Sequence, residues 1–177
     1  MMTHTDLVKI AETWLLRTRK CSFVFTELVC LATPEAPDAI GFRSRYSILL
    51  ECKISRADFL SDAKKIFRCD SALGAGVYRF YLCPEGIIKP DELPAKWGLI
   101  WVNKEGKPRQ VVGPKGNVWR NGAQSFIHER NIQAEWGMMG SALRRLHLRG
   151  VLPLIYDSPF KKSAEMPDHE KGVSEIA

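Results

Sequence analysis

A chain of 177 residues, 45% hydrophobic and 26% charged, has the length and apolar content to bury a full core and falls outside the disordered and fibrous classes. No run approaches the roughly eighteen apolar residues of a membrane span and no apolar signal-peptide core opens the chain, so a cytoplasmic protein without a membrane partner is expected. The five cysteines lack the close spacing of a zinc or iron–sulfur site, the four histidines are scattered, and the net charge of +6 is of the sign that suits a polyanion.

Thr5 or Asp6 starts a first helix whose Leu7, Ile10, Ala11, Trp14 and Leu15 form one apolar stripe, ending in the basic run Arg17-Thr18-Arg19-Lys20. Phe23 to Val29 is strand-like, with Glu27 interrupting it. Pro37-Asp38-Ala39-Ile40-Gly41-Phe42 opens a second extended segment, and Arg43-Ser44 allows a tight turn back. Arg45 to Ile54 is a mostly apolar run without Gly or Pro and reads as a buried strand. Period-two alternation puts Glu51 and Lys53 on one face and Leu50, Cys52 and Ile54 on the other. A hairpin here brings Asp38 beside Glu51. Two convergent carboxylates form a hard-oxygen site suited to Mg²⁺ or Mn²⁺, with Lys53 placed to hold a water or to stabilise developing charge.

Ser55-Arg56-Ala57-Asp58 reads as a capping box that starts a helix. Phe59, Leu60, Ala63 and Phe67 recur at helical spacing along it, leaving Arg56, Lys64, Lys65 and Arg68 for solvent or for a phosphate backbone. Gly74 and Gly76 mark a loop, Val77 to Cys83 a strand and Pro90 to Pro94 an irregular stretch. Trp97 to Asn103 is a further strand, and Lys104-Glu105-Gly106-Lys107 a turn into Gln110-Val111-Val112. The count predicts an α/β protein with a sheet of five or six strands.

From about Ala123 to Arg149 a long helix carries Ile132, Trp136, Met139, Leu143 and Leu146 as an a/d seam, expected to pack on the sheet, with a homodimer contact as its other use. Arg145 and Arg149 fall away from the seam. Residues 1–160 are expected to form a single domain, and the polar, unpatterned segment 161–177 a mobile tail.

The motifs Asp38-Ala39-Ile40-Gly41, Leu50-Glu51-Cys52-Lys53-Ile54-Ser55-Arg56-Ala57-Asp58-Phe59, Asp62-Ala63-Lys64-Lys65 and Tyr78-Arg79-Phe80-Tyr81-Leu82 resemble the PD-(D/E)xK nuclease superfamily. More narrowly they are similar to MmcB-like DNA repair proteins and related short phage or mobile-element proteins. The resemblance spans about residues 22 to 103, and its most specific part is Ser55-Arg56-Ala57-Asp58-Phe59. It implies a restriction-endonuclease-like core of α-β-β-β-α-β order, with a mixed central sheet flanked by helices, and magnesium-dependent cleavage of DNA. It also implies that Asp38, Glu51 and the main-chain carbonyl of Cys52 hold the metal and that Lys53 is the catalytic lysine. The superfamily often adds an upstream glutamate. Glu27 is favoured over Glu12, because a charge inside an apolar strand needs a reason whereas Glu12 can face water.

Residues 104–149 hold nine Lys or Arg against three acids, so the positive charge lies in the C-terminal half, as a phosphate backbone would favour. Two functions are expected from this pattern. The first is a DNA nuclease using Asp38, Glu51, Lys53 and Glu27, with DNA contacts from Arg56, Lys64, Lys65, Arg68, Arg145 and Arg149. The second is a catalytically silent nucleic-acid-binding or nuclease-interfering protein of the same fold.

Overall fold

A computed structural model describes residues 2–31, 33, 35–114 and 124–157. It is an α/β protein whose six-stranded mixed sheet follows chain order, β1 to β6. Contacts divide the chain into two units, Met1–Gly140 and Ser141–Ala177. The expected tail, 161–177, lies outside the described residues, as do Lys115, Arg120 and the expected helix start at Ala123.

Helix α1 (His4–Thr13) starts where Thr3 supplies a reciprocal capping box with Asp6, and it continues as a π-helical turn over Trp14–Thr18. Of the predicted stripe Leu7, Ala11, Trp14 and Leu15 are buried and Ile10 is half-buried; with Val8 they pack on one face of the sheet against Ile48, Leu50, Phe80 and Leu82. Each of the larger side chains among them contributes about 1.5–3 kcal/mol through burial.

Strands β1 (Phe23–Thr26), β2 (Ala39–Arg43) and β3 (Tyr46–Cys52) are antiparallel neighbours. β3 pairs parallel with β4 (Tyr78–Pro84), β4 parallel with β5 (Gly98–Val102), and β5 antiparallel with β6 (Pro108–Val112). Gly98 lets β5 pass the Phe80 ring, since a Cβ there would lie 2.2 Å from it. The opposite sheet face holds Ile40, Phe42, Leu49, Tyr81 and Leu99 under Phe59, Trp97 and Met138, with Tyr81 stacked on Trp97 at 4.3 Å.

Two helices depart from the sequence reading. The helix expected from Ser55 through Phe67 is broken: α2 spans Arg56–Asp62, a turn follows, and α3 spans Ile66–Cys69. The Ser55 hydroxyl accepts from the Asp58 N–H, but the reciprocal half of the capping box is not formed. Helix α4 (Ile132–Leu148) buries Ala134, Glu135 and Met138, and of the expected a/d seam Met139 alone packs half-buried against the described core. Ile132, Trp136, Leu143 and Leu146 are exposed. A polar anchor selects this rotation, because the buried Glu135 carboxylate accepts from the Ser47 hydroxyl at 2.6 Å, the Gly76 N–H at 2.8 Å and Arg130 at 2.5 Å. A buried carboxylate so bonded outweighs the preference of a periodic apolar stripe. In the second unit, α4 ends and a 3₁₀ turn runs over Leu152–Tyr156.

Among the described residues no helix is long and apolar enough to cross a membrane.

Candidate functional site

The β2–β3 register pairs Ala39 with Leu50, so Asp38 lies one step beyond it, opposite Glu51. One Asp38 oxygen accepts the Cys52 N–H at 2.7 Å, which fixes the carboxylate across the hairpin end. Glu51 and Lys53 share the face of Leu49 and Tyr81, as alternation requires. The three residues expected at the site are therefore brought together, on the sheet face covered by α2 and α3.

Beneath them lies a network of buried charge. Lys53 Nζ is 3.1 Å from both Glu51 Oε2 and Asp62 Oδ1, and 3.9 Å from Asp58. Asp62, fully buried, also accepts from Lys65 Nζ at 2.7 Å, Arg68 Nε at 2.7 Å and the Tyr81 hydroxyl at 2.9 Å. Arg68 reaches Glu35 at 2.5 Å through Nη1, while its Nη2 lies 3.0 Å from Glu51 Oε1 without hydrogen-bond geometry. The guanidinium also covers the Trp97 ring at 4.8 Å.

The environment drives the two carboxylates apart. Burial pushes Glu51 up to about 7, against the pull of Arg68 and Lys53. Burial also opposes ionisation of Asp62, but Arg68, Lys65 and Lys53 together hold it well below the usual carboxylate range. Burial opposes the charge on Lys53, yet Glu51 and Asp62 raise its pKa above that of an ordinary lysine, so it stands as an ammonium.

Several predicted residues occupy other settings. Arg68 is not a surface cation: its side chain is 2% exposed and faces three carboxylates. The break after α2 turns the chain so that Arg68 points inward, a change helical periodicity could not register. Arg56 is ion-paired with Glu92 on the surface. Lys65 is half exposed beside Asp62, with Glu51 4.0 Å away, and Lys64 is exposed. Arg145 and Arg149 belong to the second unit or its helix. Glu27 does not interrupt β1; it follows its end with φ 48°, its N–H donating to the Asp38 carbonyl. Its exposed carboxylate is 3.8 Å from His4 Nδ1, and His4 Nε2 is 3.3 Å from Asp38 Oδ1. Glu12 is half-buried on α1.

The sequence reading missed Glu35, Asp62 as an anchor, and His4. Glu35 is buried and receives the Ala75 N–H at 2.9 Å as well as Arg68. The one local signal for it is an acid between Pro34 and Pro37, on the loop that delivers Asp38. Among the described residues no three His, Cys, Asp or Glu side chains form a ready-made metal cluster.

No family model matches the chain, and no curated protein matches it. A solved structure of a protein of unknown function from Silicibacter pomeroyi is similar in fold, with a TM-score of 0.53 and 21% identity over 84% of this chain and 92% of that one.

Proposed function

We propose that the chain is a metal-dependent nuclease of the PD-(D/E)xK type, with a restriction-endonuclease-like core, that hydrolyses DNA phosphodiester bonds in repair or mobile-element processing. The observation that carries this reading is the placing of Asp38 opposite Glu51 at one hairpin end, with Lys53 two residues on along the same face. The order α1, β1–β3, α2, β4 agrees with the core that the resemblance implies.

The donor chemistry fits Mg²⁺ or Mn²⁺. Asp38, Glu51 and the Cys52 carbonyl are all oxygen donors, and each carboxylate oxygen keeps lone pairs beyond the contacts it makes here. Two protein carboxylates leave room for waters, which these ions retain. When bound, such an ion neutralises phosphate charge and acidifies a water. The chain's own residues supply the rest. Lys53, held as an ammonium between Glu51 and Asp62, orients the attacking water and offsets charge building on the phosphate. Asp62 positions Lys53, and Arg68 fixes Glu51 from behind. Lys65, half exposed at the rim, meets the backbone phosphate.

A catalytically silent nucleic-acid-binding or nuclease-interfering protein is the second reading. It draws on the Glu51 side chain, which is 4% exposed and flanked by Lys53, Arg68 and, at 4.0 Å, Lys65. One experiment separates the two. Purified protein is incubated with plasmid, linear, nicked and single-stranded DNA in Mg²⁺, Mn²⁺ or EDTA, beside Asp38→Ala and Lys53→Ala. Metal-dependent cleavage that falls by on the order of 10²-fold or more in both variants supports the nuclease. Cleavage that survives both substitutions rejects the assigned residues, and binding without cleavage in either metal selects the silent reading.

A further inference from the structure

At the other end of the β2–β3 hairpin a groove of about 240 Å³ opens between the β2–β3 turn and the first half of α4. Its walls include Arg43, Arg45, Tyr46, Arg130 and Trp136. Trp136 is 73% exposed, and among the described residues its indole has no ring or hydrogen-bond partner. Arg45 is exposed and makes no ion pair there. Arg43 donates to the Arg19 carbonyl at 3.0 Å and to the Tyr46 hydroxyl at 3.2 Å and lies 5.7 Å over the Tyr46 ring, with no acidic partner among the described residues. The acid in the groove, Glu135, is consumed by Arg130, Ser47 and the Gly76 N–H. An open indole beside two guanidiniums without an acidic partner among the described residues matches an aromatic ring joined to an anion, the repeating unit of a nucleic acid strand.

We infer that this groove binds a single-stranded segment of nucleic acid, an unpaired base stacking on Trp136 while Arg43 and Arg45 contact phosphates. The inference deepens the nuclease reading and rests on it for the identity of the polyanion. Met138 of α4 joins the core layer that contains Leu49 and Tyr81, so the Trp136 wall of the groove and the Asp38–Glu51 end serve one sheet face, while Arg43 and Tyr46 close the groove from the α1 side of the hairpin turn. Arg45 immediately precedes β3 and lies six positions from Glu51, about 20 Å at the rise of a strand. A strand seated in the groove therefore has a few nucleotides to span before reaching the carboxylates, and unpaired DNA beside the cleavage point is the substrate class this favours.

The test is fluorescence anisotropy of the full chain with a labelled single-stranded 20-mer in EDTA, so that binding is read without cleavage. A blunt duplex of the same sequence serves as the comparator. Trp136→Ala is expected to weaken single-strand binding about tenfold and duplex binding far less, whereas Trp136→Phe, which keeps a ring, stays within about threefold of wild type. Arg45→Glu is expected to weaken binding and to lower the salt slope by about one. Circular dichroism verifies that each variant is folded. Unchanged single-strand affinity in both Trp136→Ala and Arg45→Glu overturns the inference, as does a wild type that binds no single strand. It is also overturned if sedimentation shows that Trp136→Ala alters only self-association. Metal-dependent cleavage with an indifferent groove leaves the nuclease reading standing. Groove-dependent binding without cleavage in Mg²⁺ or Mn²⁺ removes the nuclease reading and leaves the groove.

Discussion

The two ends of the β2–β3 hairpin treat charge in opposite ways. At the Asp38–Glu51 end Glu51, Lys53, Asp62 and Arg68 are ion-paired in a nearly dry network, in which Lys53 and Arg68 each touch at least two carboxylates. At the Arg43–Tyr46 end the guanidiniums face solvent with neutral partners or none among the described residues, beside an open indole. A buried, matched network holds its groups in fixed geometry but is costly to disturb. An open cationic edge costs the fold almost nothing and is available to a ligand. The contrast separates a place suited to positioned chemistry from a place suited to adjustable binding.

The largest expected effect comes from removing a member of the dry network. Arg68→Ala leaves Glu35 without its ion-pair partner and takes from Glu51 one of its two near cations, with Lys65 farther off at 4.0 Å, so stability in urea unfolding should fall by about 3–5 kcal/mol. Arg68→Lys should recover part of that loss, because a lysine restores charge without the planar fork that meets Glu35 and Asp62 together. A cost under about 1 kcal/mol for Arg68→Ala would show that the network is open to water, and the contrast between the hairpin ends would collapse.

Acidity offers a second test, with two groups of opposite sign. Glu51 rises from 4.5 to about 7, so the native state binds its proton more tightly than the unfolded chain, and stability from this group is full below 4.5 and lost as pH rises toward 7. His128 is pushed down from 6.5 to about 4, chiefly by burial and then by Arg79, while its Nε2–H donates to the Lys96 carbonyl at 3.2 Å. Its contribution is present above 6.5 and lost as pH falls toward 4. Across about pH 4.5 to 6.5 the two slopes offset each other, and wild-type stability should be nearly flat. Glu51→Gln should then become more stable with rising pH and His128→Gln less stable, each by up to about 3 kcal/mol over its window. Denaturant midpoints at half-unit pH steps read both slopes.

What the sequence made legible, and what it hid, follows the same division. Strand alternation placed Glu51 and Lys53 on one face, and the hairpin reading put Asp38 next to Glu51, because both depend on neighbours in the chain. The six strands and the α1 stripe were legible for that reason too. The break between α2 and α3 was not, since no Gly or Pro marks Asp62 to Lys65; burial of the Asp62–Arg68 ion pair overrides local helix propensity there. Glu35 meets Arg68 across 33 residues, and no local pattern encodes such a pairing. The α4 seam misled because apolar spacing could not weigh one buried glutamate against four apolar residues left in water.

A smaller effect tests how the dry end is assembled. Ser55 caps α2, the seven-residue helix that carries Asp58 and Asp62 toward Lys53. Ser55→Ala should cost about 1 kcal/mol, and Ser55→Gly only a few tenths. Equal losses in the two variants would mean that Ser55 acts through something other than its hydroxyl bond to the Asp58 N–H.

The smallest effect is expected at the open end. Trp136 covers about a quarter of its side chain, roughly 60 Å² of the 250 Å² an indole can bury, and a compact unfolded state reduces the gain to about 40 Å². At about 25 cal/mol per Å² that is on the order of 1 kcal/mol, and alanine returns about half of it through its better helix propensity. Trp136→Ala should therefore lower stability by no more than about 0.5 kcal/mol, and Arg45→Ala should leave it unchanged within the same margin. Thermal unfolding of the two variants beside Arg68→Ala measures the contrast directly. A loss above about 1.5 kcal/mol at Trp136 would mean the indole is packed, and an indole that stabilises the fold to that extent is not one held open for a base.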